Sequence, residues 1–160
     1  MRFFAFDSFE GLPEPVGLDK QSLDFKEGKF ATTIDQLKKN LRANKVPEKK
    51  VHIIKGWFDD TLNEENLRAH QMDQAVLIHV DVDYYQSAKT VLEFVTPLLQ
   101  NGTVIVFDDW YNYRGNPELG EQRAFREWLE EHDEWIAVEY HKSGPWRNSF
   151  IVNRRSSGSG

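Results

Sequence analysis

The sequence has no cysteine and no long apolar run, and each absence excludes a class of protein. Without cysteine the chain cannot form disulfides, zinc–thiolate sites or iron–sulfur clusters, and it has no thiolate nucleophile. No segment approaches the roughly 18–20 apolar residues of a membrane span, and the N-terminus lacks the charged and apolar regions of a signal peptide. We therefore expect a cytoplasmic protein without a membrane partner.

An excess of positive charge is also missing, because 26 acidic residues outweigh 20 basic ones and give a formal net charge of −6. Nucleic-acid binding needs basic patches that neutralise phosphates, so no nucleic-acid partner is expected. The 160 residues, 39% of them hydrophobic, suit a single globular domain that can bury a core. We predict one domain over 1–153 and a flexible tail or artificial linker over 154–160, where serine and glycine dominate.

Short apolar strands alternate with amphipathic helices along the chain. This alternation, with continuous apolar strands, predicts an α/β fold with a mostly parallel, Rossmann-like sheet and helices on both faces. The best helical pattern covers Ser87–Gln100, where Pro97 should loosen the last turn. Two segments joined by a Ser-Gly-Pro turn, Trp135–His141 and Ser149–Asn153, predict a C-terminal antiparallel hairpin.

Acidic residues follow three of the predicted strands at the point where each strand ends. They are Asp7, then Asp81 with Asp83, then Asp108 with Asp109. Ligands of open α/β sheets bind outside the carboxyl ends of the strands. Asp81 and Asp108 are 27 residues apart, the length of one strand–helix–strand unit, so their strands should be neighbours.

Ionised carboxylates at one rim repel one another, so their joint ionisation costs free energy unless a cation lies between them. Carboxylate oxygens are ligands that suit Mg²⁺. A single aspartate at a strand end more often caps a helix or starts a turn, whereas the acids after the two later strands together favour a metal site. Asp7 lies where nucleotide-binding α/β domains hold ribose hydroxyls, although no glycine-rich turn precedes it. His79 is interpreted as a core histidine. Trp57, Phe58 and Trp110 could stack on a ligand or cover the rim of the core.

Five segments in a fixed order resemble the macrocin O-methyltransferase (TylF-type) family of S-adenosylmethionine-dependent enzymes. They are Phe6–Pro13, Lys55–Leu62, His79–Tyr85, Val106–Trp110 and Gly120–Phe125. The resemblance covers nearly the whole chain up to about Asn153. It implies a class I methyltransferase fold, with a seven-stranded sheet and an antiparallel last strand, and Mg²⁺-dependent methylation of a sugar or other small-molecule hydroxyl.

The resemblance also implies roles for single residues. It implies three metal ligands, which are Asp81, Asp108 and Asp109. It makes Asp83 the candidate general base for the acceptor hydroxyl. It implies a set of residues around the ribose and adenosine of the cofactor, which are Asp7, Ser8, Gly56, Trp57 and Phe58. A metal that lowers the pKa of a hydroxyl and a carboxylate that removes its proton form a coherent pair.

One departure from the family pattern concerns the first strand. The family begins with a helix, a strand and a glycine-rich loop that wraps the methionine part of the cofactor, whereas this sequence starts at what would be the second strand. The missing strand would lie in mid-sheet, between the strands that end at Asp7 and Asp81. We expect either a sheet that closes over the gap or edges that pair with another chain. A homodimer or a rearranged sheet would compensate, and the chain alone should bind the cofactor poorly.

Three alternatives remain open at this point. The chain could be a non-catalytic methyltransferase-like module for binding or oligomerisation, or a fragment of a longer gene product. It could be a Mg²⁺-dependent phosphatase with Asp-x-Asp and Asp-Asp motifs, although Tyr85 stands where that pattern has threonine or valine. A nucleotide-sugar transferase with a metal-binding Asp-x-Asp is the third. Cofactor binding tests the first alternative, and phosphatase activity on a generic ester tests the second.

Overall fold

A computed structural model describes residues 1–22 and 25–156 of the chain. The described strands are β1 (Phe3–Asp7), β2 (Val51–Lys55), β3 (Leu77–Val80), β4 (Thr103–Phe107), β5 (Trp135–Ser143) and β6 (Arg147–Arg154). The described α-helices are α1 (Ile34–Ala43), α2 (Phe58–Thr61), α3 (Glu64–Ala69), α4 (Tyr85–Val95) and α5 (Gly120–Glu131). Short 3₁₀ turns cover Gly17–Gln21, Glu48–Lys50, Thr96–Leu98 and Tyr113–Gly115. Strand–helix alternation up to α5, followed by a hairpin, is the fold class that the sequence predicts.

The strands form two separate sheets rather than one. β1 and β2 pair in parallel, with Phe3 opposite Val51 and Asp7 opposite Lys55. The second sheet has the order β3-β4-β6-β5, in which β3 and β4 are parallel and the β5–β6 hairpin is antiparallel. This pairing confirms the prediction that the strands before Asp81 and Asp108 are adjacent. The sheet does not close over the predicted gap, because no hydrogen-bonded ladder joins β1 to β3 in the described part of the chain.

Most predicted elements are present with shifted ends. The predicted helix Ser87–Gln100 begins two residues earlier, at Tyr85, and gives way at Pro97 to a 3₁₀ turn, because proline cannot donate the next helical hydrogen bond. The hairpin strands are longer than predicted, and β6 reaches Arg154, one residue past the predicted domain end. Of the predicted tail, residues 157–160 lie outside the described part of the chain.

The buried core belongs to the four-stranded sheet. Its side chains pack between that sheet and one face each of α4 and α5. They include Val80, Leu92, Ile105, Phe107, Phe125 and Val152. The amphipathic spacing of α4 directs its apolar face at β3 and β4, as the sequence pattern predicts. Among the described helices, none is both long enough and apolar enough to span a bilayer.

Candidate functional site

A cavity of about 720 Å³ lies at the carboxyl ends of β1, β3 and β4. All residues that were assigned a site role from the sequence line it, namely Asp7, Ser8, Gly56, Trp57, Phe58, Asp81, Asp83, Asp108 and Asp109. The parallel pairing of β3 and β4 places their terminal acids side by side. The loop after β1 and the turn after β2 supply the opposite wall. This meeting of strand ends is the position at which open α/β sheets bind ligands.

Three carboxylates of the cavity form a compact cluster. One oxygen from each of Asp81, Asp108 and Asp109 lies within 4.8 Å of the other two. Asp81 follows β3 directly, and the other two aspartates follow β4 directly. Three carboxylates at this spacing repel one another in the ionised state, so the cluster favours a bound cation or uptake of protons.

Three acids of this cavity, Asp81, Asp83 and Asp109, have a pKa above that of a free carboxyl group. Burial, together with the negative charges of Asp109 and Asp81, raises the pKa of Asp83 to about 7. Burial and the charges of Asp81 and Asp108 raise the pKa of Asp109 to about 6. Desolvation and the charge of Asp108 also raise the pKa of Asp81. Perturbed carboxyl groups in a cavity are typical of functional sites.

Asp83 occupies an unusual backbone position between β3 and α4. Its φ of 58° lies in the left-handed region, which aspartate tolerates better than most residues. Only 8% of the residue is exposed, and its backbone N–H donates to the carboxylate of Asp109. The Asp83 carbonyl also approaches Gly120, where a Cβ atom would lie 3.8 Å from it and 2.7 Å from the Tyr113 ring. A glycine at the start of α5 therefore lets this turn pack closely.

Asp108 has two neighbouring side chains, an arginine and a histidine, that the sequence did not reveal. The Arg147 side chain, at the start of β6, donates to both carboxylate oxygens of Asp108. His79 Nε2 lies 3.2 Å from Asp108 Oδ1. The interpretation of His79 as a core histidine is wrong, since 48% of its side chain is exposed. Its strand position points to the uncovered face of β3, where alternate residues are exposed.

The residues that the resemblance places around a cofactor are organised by local backbone contacts. The Asp7 carboxylate accepts from the Phe9 amide at 2.5 Å, and the Asp7 carbonyl accepts from the Gly56 amide at 3.0 Å. A Cβ atom at Gly56 would lie 2.7 Å from Thr61 Cγ2, so this turn requires glycine. Trp57 keeps 37% of its surface exposed at the cavity wall. The first strand and the second are thereby tied together at the rim of the cavity.

The aromatic residues that could either stack on a ligand or cover the rim of the core occupy different positions in the structure. Trp110 packs its ring 5.0 Å from Phe107 and 4.7 Å from Phe150, so it covers the rim of the core. Trp57 and Phe58 line the cavity, and Phe58 also packs against the core. Of these three aromatic residues, Trp57 is the one with the exposed cavity position that stacking on a ligand requires.

Two buried acids near the cavity were missed from the sequence. The carboxylate of Asp19 accepts from the backbone amides of Tyr85 and Gln86 and so caps α4 from a distant loop. Glu121 is 1% exposed, and its Oε2 accepts from the Asp109 amide at 3.0 Å. Burial raises the pKa of Glu121 well above its usual range. Glu121 lies in a segment that carries the family resemblance, but no local pattern signals the contact.

Comparison with known proteins identifies the relatives of this chain. The sequence profile of the Macrocin-O-methyltransferase (TylF) family matches residues 1–140. The chain belongs to the macrocin O-methyltransferase family. The match includes every cavity residue named from the sequence, while Arg147 lies beyond it. The resemblance seen in the sequence motifs is thereby confirmed.

Two curated relatives come from Streptomyces. The chain is 30% identical over 129 residues to the 8-demethyl-8-(2,3-dimethoxy-alpha-L-rhamnosyl)-tetracenomycin-C 4'-O-methyltransferase of Streptomyces olivaceus, a match that covers 71% of this chain and 47% of the relative. It is 27% identical over 110 residues to the demethyldecarbamoylnovobiocin O-methyltransferase of Streptomyces niveus, covering 65% of this chain and 40% of the relative. The chain thus spans about half the length of these macrocin O-methyltransferase relatives or less.

Solved structures confirm the fold. The O-methyltransferase NovP superposes with a TM-score of 0.76 at 20% identity, over 96% of this chain and 60% of that one. A calicheamicin methyltransferase superposes with a TM-score of 0.73 at 24% identity, over 94% of this chain and 60% of that one. The Rossmann-like methyltransferase fold that the sequence predicts is therefore shown, including its C-terminal antiparallel hairpin.

The donor set of this family member fits a hard divalent cation. Asp81, Asp108 and Asp109 offer only oxygen atoms. Burial, and after it the negative charges of neighbouring acids, raises the pKa of Asp81 and of Asp109, so a positive charge at the cluster would favour their ionised forms. Oxygen ligands with room for water suit Mg²⁺ rather than a metal that prefers thiolate or imidazole ligands. The contact of Arg147 with Asp108 supplies part of this charge. A metal ion would share Asp108 with that guanidinium or displace it.

Proposed function

We propose that this chain carries the reaction site of an S-adenosylmethionine- and Mg²⁺-dependent O-methyltransferase that acts on a hydroxyl group of a small molecule. The observation that carries this proposal is the joint placement of the Asp81, Asp108 and Asp109 cluster and the perturbed acid Asp83 in one cavity. Family membership supports methyl transfer as the reaction class. The names of both curated relatives describe O-methyltransferases, and one of them names a rhamnosyl group. A sugar hydroxyl is therefore the first acceptor class to test.

The cofactor would occupy the β1 and β2 side of the cavity. Asp7 would accept hydrogen bonds from its ribose hydroxyls, since an acid at this strand end is the usual ribose partner in nucleotide-binding α/β domains. Ser8 and the Gly56–Phe58 turn line the same wall, where the indole of Trp57 offers a stacking surface. When bound, S-adenosylmethionine supplies an electrophilic methyl group on a sulfonium ion.

The acceptor would lie on the β3 and β4 side. Asp81, Asp108 and Asp109 would hold Mg²⁺, which when bound lowers the pKa of a hydroxyl group. Asp83 takes up the hydroxyl proton on its carboxylate, because a base with a pKa near 7 is half ionised near neutral pH and binds the proton well. The remaining task of the protein is to align oxygen and methyl carbon, which is a matter of positioning.

The open gap between β1 and β3 bears on activity. β1 forms a ladder only with β2, so its other edge has no strand partner among the described residues, and the loop after β1 is fastened to α4 chiefly by the Asp19 cap. Poor cofactor binding by the isolated chain is part of this proposal for that reason. A homodimer that supports this wall belongs to the same proposal. The cytoplasm remains the expected location.

Calorimetric titration with S-adenosylhomocysteine, with and without Mg²⁺, tests the proposal when light scattering on the same sample reports the oligomeric state. We expect weak, saturable one-to-one binding that Asp7→Ala abolishes. Asp81→Asn should remove the response to Mg²⁺ and leave cofactor binding intact. Asp59→Asn is the matched control, since Asp59 is exposed at the same cavity but outside the cluster.

Further measurements separate the acid roles and the alternatives. Asp83→Asn should retain binding of both ligands and lose methyl transfer to a panel of sugars, in whichever oligomer binds the cofactor. No cofactor binding at millimolar concentration would contradict the proposal and favour a non-catalytic methyltransferase-like module. Hydrolysis of a generic phosphate ester that depends on Asp81 would instead favour the phosphatase.

A further inference from the structure

One arginine of the molecule contacts the acid cluster from outside the cavity. The Arg147 side chain donates from Nε to Asp108 Oδ1 and from Nη2 to Asp108 Oδ2, the second contact at 3.3 Å. Asp108 belongs to the described residues that line the acidic cavity, and Arg147 does not. The guanidinium therefore reaches this carboxylate from a side other than the one that a cavity ligand would use.

This pair differs from the other arginine–carboxylate pairs of the described residues. Those pairs join an arginine to a glutamate four to eight residues away, and they involve Arg42, Arg68, Arg123 and Arg126. Arg147 instead reaches an aspartate 39 residues away. Exposed local pairs contribute little to stability. The Arg147 pair brings a fixed positive charge to a cluster of acids.

The register of the hairpin brings Arg147 to this place. β4 and β6 are antiparallel, and their register puts Arg147 beside Asp108, one position past the end of β4. The Trp146 carbonyl accepts from the Tyr111 amide at 2.9 Å, which fastens the turn before β6 to the loop after β4. The backbone at Arg147 is thereby fixed, while 53% of its side chain is exposed. The side chain can turn toward solvent without a change in the hairpin.

The acids of the cluster differ in the charge of their partners. Asp109 accepts hydrogen bonds from two neutral groups, the side-chain amide of Asn112 and the backbone amide of Asp83. Asp108 is the cluster acid that contacts a guanidinium among the described residues. Because arginine stays protonated at every physiological pH, the charge on Asp108 is permanent.

A guanidinium and a metal ion compete for a carboxylate in two ways. They repel each other as cations, and both use lone pairs of the same oxygen atoms. At Asp108 the longer contact, to Oδ2, is the easier one to give up. The free energy needed to weaken the pair is then lost from the free energy of metal binding.

We propose that Arg147 tunes the metal site through Asp108: its guanidinium competes with Mg²⁺ and lowers the affinity of the Asp81, Asp108 and Asp109 cluster for the metal. The inference rests on the metal site of the proposed function and adds a positioning residue from β6 to it. Coupling between two bound groups is reciprocal, so bound Mg²⁺ weakens the contact of Arg147 with Asp108. In the metal-free cluster the same contact offsets part of the repulsion between the acids.

Calorimetric titration with Mg²⁺ at about pH 8, where protons compete little with the metal, measures this effect. Arg147→Gln removes the charge and should bind Mg²⁺ about tenfold more tightly than the wild-type chain, the order expected for one unit charge near a divalent ion at an exposed site. Arg147→Lys retains the charge and should stay within about threefold of the wild type. Arg126→Gln is the matched control, because Arg126 makes a similar two-pronged contact with Glu118.

A second measurement uses the wild-type chain and does not depend on how Arg147→Gln folds. Phenylglyoxal modifies guanidinium groups that are free to react, and mass spectrometry locates the modified arginines. Mg²⁺ should speed the modification of Arg147 several-fold and leave that of Arg126 unchanged. Asp81→Asn changes a cluster acid outside the pair, and it should abolish this effect of Mg²⁺.

The direction of the change in affinity separates competition from a merely structural role. A partner that only orients a metal ligand makes metal binding weaker when it is removed. Equal or weaker Mg²⁺ binding by Arg147→Gln would therefore overturn the inference. So would equal tightening in Arg147→Lys, which would exclude the charge as the cause, or modification of Arg147 that saturating Mg²⁺ leaves unchanged.

These outcomes are distinct from failure of the proposed function. In each of them the wild-type chain still binds Mg²⁺, so the metal site stands without the competing arginine. Binding by Arg147→Gln alone would support the inference, since the wild-type affinity would then lie below the range of the titration. Absence of Mg²⁺ binding in the wild-type chain and in Arg147→Gln alike would remove the metal site from the proposed function, and the inference with it.

Discussion

The half of the molecule around the four-stranded sheet, β3 to β6, buries far more apolar side chains than the half around the two-stranded sheet of β1 and β2. Every residue of the buried core cluster lies between Ile78 and Val152, around β3 to β6. The two-stranded half contributes few buried apolar residues, and α1 has none, although its apolar residues recur at helical spacing. Folding free energy is therefore concentrated in one half. The cavity with the acids lies between a rigid wall and a weakly supported one.

This difference means that the two sides of the candidate site are held with unequal strength. The acids of β3 and β4 are held by a parallel ladder, by Glu121 and by Arg147. Asp7, the proposed ribose ligand, is held by a two-stranded pair and its own turn. A two-stranded sheet is marginal without further cover. Metal binding should therefore be more robust than cofactor binding in this chain.

The largest expected effect comes from matched phenylalanine truncations in the two halves. Phe107 is fully buried in β4 and contacts three other aromatic rings, so Phe107→Ala should lower the free energy of unfolding by about 3–5 kcal/mol. Phe4 in β1 is half-buried, and its ring contacts two histidine rings and the Arg2 guanidinium, so Phe4→Ala should cost about 1 kcal/mol. Urea unfolding measures both. Equal losses in the free energy of unfolding for the two variants would contradict the contrast between the two halves.

Addition of Mg²⁺ should stabilise the protein through the four-stranded half. At about one hundred times its Kd, the metal adds about 2.7 kcal/mol to the free energy of unfolding. Protection from amide exchange should rise around Asp81 and Asp108 and not in β2. Asp81→Asn, one of the cluster acids, should abolish the effect. A metal effect that persists in this variant would place the ion elsewhere.

The pH dependence of this stabilisation follows from the raised pKa values. Asp83 and Asp109, with pKa values of about 7 and about 6, hold protons in the folded state that the unfolded chain has already released. Metal-free stability should therefore fall as the pH rises from about 4 to about 7. Protons compete with Mg²⁺ for the same oxygens, so the metal should stabilise more at about pH 8 than at about pH 5. Thermal unfolding at both pH values checks the sign.

A smaller effect is expected at Asp19, which links the two halves. Asp19 follows β1 in sequence but caps α4 in the core half, since Tyr84 at the helix start provides no side-chain cap. Asp19→Ala should cost about 1–2 kcal/mol, the usual loss of a helix cap. Asp19→Asn retains an acceptor oxygen and should cost less. If Asp19→Ala were neutral, the loop would not couple the halves.

The sequence predicts which strand-end acids lie together better than it predicts the side chains that contact them. The adjacency of Asp81 and Asp108 follows from strand length and the parallel crossover rule, which are local properties. The contact of Arg147 with Asp108 depends on the register of the hairpin, which places the start of β6 beside the end of β4. His79 lies in an apolar run that suggests burial, yet nothing covers its face of β3 among the described residues. Long-range packing, not propensity, decided both.

The smallest effect is expected for an ion pair that lies entirely in the two-stranded half. Arg42 and Glu48 approach to 2.9 Å, but their side chains remain 62% and 42% exposed. Solvent screens such pairs, so Arg42→Ala should change the free energy of unfolding by less than about 0.5 kcal/mol, and added salt should reduce that difference further. A double-mutant cycle with Glu48→Ala measures the coupling. A coupling above about 1 kcal/mol would mean that this half has a rigid surface, and the contrast with the core half would then have to rest on burial alone.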